Sequence, residues 1–227
     1  MENPELILFR NTARRLLPLL DELVFCGGCA TAQMFSEVGF IRPTPPQWLD
    51  VIAKTQGDMG WGGLTVKLKE MSLREDTIGR GRWKLGALTL CFWNVDPLYN
   101  PFASRFISDA YAMPRKVMAA PDLKVKLVNP AMFLALKLEA FQGRGGNDFQ
   151  HSDDLNDLIA ILAGRAEVAF DLRLAAPQVK TFIQRNLAEY KSKRDFQEAI
   201  KRVLNNDEAR IATTLTRLNE IVRIDLK

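Results

Sequence analysis

Proline 130 divides this chain into two kinds of sequence, and that division constrains the fold more than any other feature. Before it, short apolar runs are cut every few residues by glycine or proline, which is how strands and tight connections are written. After it, apolar residues recur at helical spacing through 131–142, 152–163, 176–190, 193–204 and 207–223. Pro130 stands just ahead of the first of these helices, where its missing amide costs nothing. A mixed α/β part over 1–129 and a helical part over 130–227 follow, with no long linker, internal repeat or low-complexity stretch between them. The expected fold class is α+β: a small mixed β-sheet flanked by helices, then a helical C-terminal part.

Within the first part, 5–20 reads as a helix that ends or kinks near Pro18. Residues 22–26 read as a buried strand, Gly27–Gly28 as a turn, and 30–38 as a helix stopped by Gly39. A stiff Pro-rich loop over 42–47 leads to a second strand, 48–53. A glycine-rich loop over 57–63 precedes a helix over 64–71. Strands follow at 82–86 and 87–95, a short helix at 102–110, and strands at 115–119 and 123–128.

Composition limits the chemistry. The 227 residues include one histidine, His151, and three cysteines, Cys26, Cys29 and Cys91. A four-ligand zinc site would have to gather all four of these, and one histidine disfavours His-dependent triads and multi-histidine metal sites. Cys26 and Cys29 form a CxxC, but two glycines in an apolar segment make a weak redox motif. Carboxylates, lysine, backbone amides and a hard metal remain. The first 113 residues carry 12 basic and 12 acidic side chains and the rest carry 19 and 15, so the net charge of +4 falls wholly in the second half. This surplus permits a polyanionic partner without requiring one. The absence of a long apolar run or a signal-like start leads to an expectation of a cytoplasmic protein without a membrane partner.

Several residues stand out, each with two readings. The Gly27–Gly28 turn admits close approach of an anion, or serves only to pack two segments tightly. Asp50, inside the apolar run WLDVIA, is metal-bound or paired, or else points to solvent. Lys137 either reaches a phosphate or extends harmlessly to water from an apolar helix. Asp153 and Asp154 suit a helix start, while Asp157 lies a turn deeper on the face of Asp154.

FCGGCAT (25–31), RPT (42–44), LDVI (49–52) and FLALKLEAFQGRGGNDFQHSDDLNDLIAILAGR (133–165) together resemble the nucleotidyltransferase superfamily, in its bacterial AbiEii-like branch, which includes toxin-type members. The resemblance covers about residues 22–165. It implies a nucleotidyltransferase core over 1–129 and Mg²⁺-dependent transfer of a nucleotide from an NTP to RNA, tRNA included, or to protein. An antitoxin-type protein partner is a further implication. It places metal binding on Asp50, catalytic roles on Asp50, Lys137 and Asp154, and nucleotide contacts on Gly27, Gly28, Thr31, Arg42, Thr44, Lys137 and Asp157.

The sequence departs from the family pattern at the metal motif. The family reads DxD where this chain has Trp48 and then Asp50. A later carboxylate would fall near Cys91. Asp58 and Asp96 are the spare aspartates nearby, both in expected loops. Tryptophan cannot ligate magnesium and a thiol suits it badly. With the Lys137–Asp154–Asp157 motif intact, the resemblance implies a degenerate member, a pseudoenzyme that binds nucleotide, RNA or a protein partner. The alternative is an active, divergent nucleotidyltransferase.

Overall fold

The computed structural model describes residues 2–55, 57–77, 81–96 and 104–225. The chain forms two compact units, one of residues 1–33 and 45–129, the other of residues 34–44 and 130–227. Among the described residues no helix is long and apolar enough to cross a membrane.

The first unit is built on a seven-stranded mixed sheet. Its strands are β1 (Leu23–Gly28), β2 (Trp48–Ala53), β3 (Arg74–Glu75), β4 (Arg82–Leu85), β5 (Leu88–Asn94), β6 (Arg115–Ala120) and β7 (Leu123–Leu127), in the order β3-β4-β5-β2-β1-β7-β6. β1 pairs antiparallel with β2 and parallel with β7, and β2 pairs parallel with β5. All six residues of β1 are buried. β1 lies inside the sheet, with β2 paired on one edge and β7 on the other.

Helix α1 (Pro4–Arg15) begins where the Asn3 side chain accepts the Glu5 amide at 2.9 Å and Pro4 fills the first helical position. It packs on the sheet through Phe9, whose ring meets Phe25 edge-on at 5.0 Å. A 3₁₀ turn, Leu17–Glu22, follows and contains Pro18. On the same side of the sheet, Leu49, Val51, Leu90 and Phe92 are buried. Helix α3 (Ile107–Ala112) contacts β2.

Two expectations in this unit change. Helix α2 runs Gly57–Glu70 and absorbs the whole segment read as a glycine-rich loop. Each glycine costs a helix about 1 kcal/mol, and burial of Trp61, Leu64 and Leu68 at i, i+3 and i+7 offsets that. The helix expected over 30–38 is only a 3₁₀ segment, Cys29–Met34. Beyond it the amides of Ser36 and Glu37 both donate to the Gly164 carbonyl at 2.9 Å instead of closing helical turns. The two-residue β3 was not expected. Of the helix expected over 102–110, residues 102 and 103 lie outside the described residues.

The second unit packs six helices: α4 (Pro130–Gln142), α5 (Asp153–Gly164), α6 (Val168–Arg173), α7 (Pro177–Lys191), α8 (Arg194–Val203) and α9 (Glu208–Val222). Five match the expected helical runs, and α6 is additional. Ser152 caps α5 by accepting the Leu155 amide at 3.3 Å. Phe141, Phe149, Tyr190 and Phe196 form an edge-on aromatic cluster.

Segment 34–44 belongs to this unit and straps the end of α5. A Cβ on Gly164 would lie 2.5 Å from Phe40 Cδ1 and 2.6 Å from Phe35 Cδ1, so only glycine lets both rings settle there. Arg165 Nη1 donates to the Met34 carbonyl at 3.0 Å, Ser36 Oγ donates to Glu167, and Arg217 pairs with Glu37.

Candidate functional site

The singled-out residues fall into two groups, one in each unit. In the helical unit, Arg42, Lys137, Asp154 and Asp157 join one buried chain of ion pairs. Arg42 Nη1 meets Asp157 Oδ1 at 2.5 Å, and Lys137 Nζ meets Asp157 Oδ2 at 2.8 Å. Lys137 Nζ also meets Asp154 Oδ1 at 3.1 Å. Arg144 then grips Asp154 with both arms, Nε to Oδ2 at 2.9 Å and Nη2 to Oδ1 at 2.7 Å. Charges alternate along the chain from Arg42 to Arg144.

This geometry follows from the helices. Asp154 and Asp157 are one turn apart on α5 and face Lys137 of α4. The strap brings in Arg42. Asp157 is fully buried and Lys137 nearly so, so Lys137 does not extend to water. Asp154 is a salt-bridge residue beyond its place in the first turn, because Ser152 makes the cap. Burial works to raise the Asp154 carboxyl. The charges of Lys137 and Arg144 and their hydrogen bonds outweigh it and hold the carboxyl below its ordinary value. Thr44 is exposed, two residues beyond Arg42. Arg144 has no role in the sequence reading, because the glycines around it give no sign that it meets Asp154.

In the sheet unit, strand register assembles a row across four strands: Arg82 of β4, Cys91 of β5, Asp50 of β2 and Gly27 of β1. Directly paired residues share a sheet face. The position the resemblance gives to a later carboxylate, Cys91, is therefore the immediate neighbour of Asp50. The adjoining row holds Lys84, Thr89 and Trp48, and the row on the other side holds Trp93. Asp50 is buried and accepts a hydrogen bond from Trp93 Nε1 at 3.2 Å, so it does not point freely to solvent. Sequence reasoning missed Trp93 and Arg82, although period-2 spacing from Cys91 was the available signal for Trp93.

Gly27 and Gly28 end β1 and do not form a separate turn before an α-helix. Gly28 has φ of +61°, and a Cβ there would collide with the Trp48 carbonyl. The close approach it permits is to the β2 backbone. Thr31 is fully buried in the 3₁₀ segment that follows, and its hydroxyl has no hydrogen-bond partner among the described residues.

Magnesium takes oxygen donors. At Asp50 it would meet a carboxylate already held by an indole N–H, with a thiol beside it. That donor set does not suit the ion. Among the described residues no three of His, Cys, Asp and Glu gather as a metal-holding group. The family models contain no match to this sequence, and no curated protein matches it.

Proposed function

We propose that this chain is a nucleotidyltransferase-like protein with a degenerate metal site, one that binds nucleotide or RNA without transferring it. The carrying observation is the row Arg82–Cys91–Asp50–Gly27. Asp50 stands where the resemblance expects metal chemistry, and its neighbour on the row is a thiol. Basic Arg82 and Lys84 border it, as suits a phosphate-bearing ligand. The buried ion-pair chain of the helical unit supports a structural role for Lys137 and Asp154, since Lys137 pairs with Asp154 and Asp157, and Asp154 pairs with Lys137 and Arg144.

Incubation of the full chain with labelled ATP or CTP, Mg²⁺ or Mn²⁺ and bulk RNA tests the absence of transfer. Equilibrium dialysis in EDTA tests binding. Nucleotide binding that persists in EDTA, with no label transferred, is the expected outcome. Label transfer abolished by Asp50→Asn would overturn the reading in favour of an active enzyme.

A further inference from the structure

The sheet face that carries Asp50 also carries two half-buried tryptophans. Trp48 on β2 and Trp93 on β5 lie on the same side, with the row Arg82–Cys91–Asp50–Gly27 between them. The other two tryptophans, Trp61 and Trp83, are buried. Along β5, four residues separate the Trp48 row from Trp93, about 13 Å at ordinary strand rise. The floor between is small, with Gly27, Cys91 and Asp50. The Trp93 ring is oriented by its bond to Asp50 Oδ1.

Cations continue the face outward. Arg82 and Lys84 on β4 and Arg74 on β3 share it by register. Arg82 and Lys84 keep 44% and 43% of their side chains exposed while lying 3.8 and 3.7 Å from Asp76. Lys84 Nζ also donates to Thr89 Oγ1 at 2.6 Å. From β5 to β3 the sheet extends about 10 Å more.

We infer that this face binds single-stranded nucleic acid, with bases stacked on Trp48 and Trp93 and phosphates set against Arg82, Lys84 and Arg74. Every base has a flat face to stack, and cations beside aromatic platforms are the usual means of holding an unpaired strand. The extent of the face selects a strand over a mononucleotide, which would cover one indole and leave the other, and Arg74 on the outer strand, unused. The inference rests on the proposed reading of the Asp50 face as a nucleotide or RNA site and specifies an unpaired strand held by Trp48, Trp93, Arg74, Arg82 and Lys84.

The test is a titration of the full chain, in EDTA, with a labelled 12-nucleotide oligo(U) RNA. Parallel titrations use its duplex with oligo(A), a polyglutamate peptide and ATP. The single strand is expected to bind most tightly, with log K falling against log salt at a slope of about −2 for three phosphate contacts. Trp48→Ala and Trp93→Ala are each expected to lower affinity roughly five- to hundredfold, and Trp48→Phe to restore most of that loss. Arg74→Gln with Arg82→Gln leaves Lys84 on Asp76 and is expected to reduce the slope to about −0.7 with the melting temperature unchanged.

Equal binding of duplex or polyglutamate, no binding of the oligonucleotide, or variants with unaltered affinity and slope would overturn the inference. Oligonucleotide binding without ATP binding upholds the platform and removes the mononucleotide reading. ATP binding without oligonucleotide binding does the reverse.

Discussion

Asp157 and Asp50 are both buried carboxylates, and they are held in different ways. Asp157 lies between two cations, Arg42 at 2.5 Å and Lys137 at 2.8 Å, inside a helical unit. Asp50 lies on a sheet face with a neutral indole donating to it and a half-buried thiol next to it. The first arrangement compensates a full charge with opposite charges. The second sets a carboxylate against the Trp93 indole on a sheet face. The contrast separates a residue held by ion pairs within its unit from one that, on the proposed reading, faces a ligand.

Asp157→Ala is the strongest way to break that contrast. It strands Arg42 and Lys137 without their shared partner, and is expected to cost about 3–5 kcal/mol, read as a fall in the urea midpoint. A loss below about 1 kcal/mol would mean that the chain is not structural. Gly28→Ala is expected to cost about 2–4 kcal/mol, because φ is positive and β2 backbone occupies the Cβ position. A thermal melt in parallel with Gly27→Ala would show which glycine the packing of β1 on β2 requires.

Acid sensitivity sharpens the comparison further. Against its burial, the Lys137 and Arg144 charges hold the Asp154 carboxyl below its ordinary value. A lowered folded pKa contributes stability that is fully present above the unfolded value and is lost as pH falls through the folded one. Stability is therefore expected to drop with acid below about pH 4, and Asp154→Asn is expected to flatten that drop. Denaturation curves between pH 2 and 5 would check it; equal slopes in both proteins would contradict the ion-pair assignment. The smallest effect belongs to Asp50→Asn, at about 0.5–1.5 kcal/mol, since an amide oxygen still accepts from Trp93. If Asp50→Asn destabilises as much as Asp157→Ala, the two sites are alike and the contrast fails.

The helical half was the more legible in sequence. Five of its helices and the Ser152 cap follow from local spacing, and the i, i+3 relation of Asp154 and Asp157 already placed them on one face. The strands at 48–53, 82–86 and 87–95 were also legible, because short apolar runs between breakers have few other uses. Less was visible wherever a partner lies far away in sequence. The segment 30–38 has helical spacing, yet Ser36 and Glu37 donate to Gly164, some 130 residues on. The run 57–63 looks like a loop by its glycines, yet Trp61, Leu64 and Leu68 bury one helical side.

By itself, the sequence determined the secondary elements of most of the chain, the change of architecture at Pro130 and the scarcity of soft ligands. These depend on local periodicity, backbone freedom and composition. Tertiary structure alone decided that Arg42 and Arg144 close the charge chain around Lys137. It alone decided that Cys91 lies beside Asp50, and that Trp48 and Trp93 share a face with Arg82 and Lys84. Pairing of charges across helices and register across strands are set by packing between residues distant in the chain, and no local pattern encodes which distant residue will arrive.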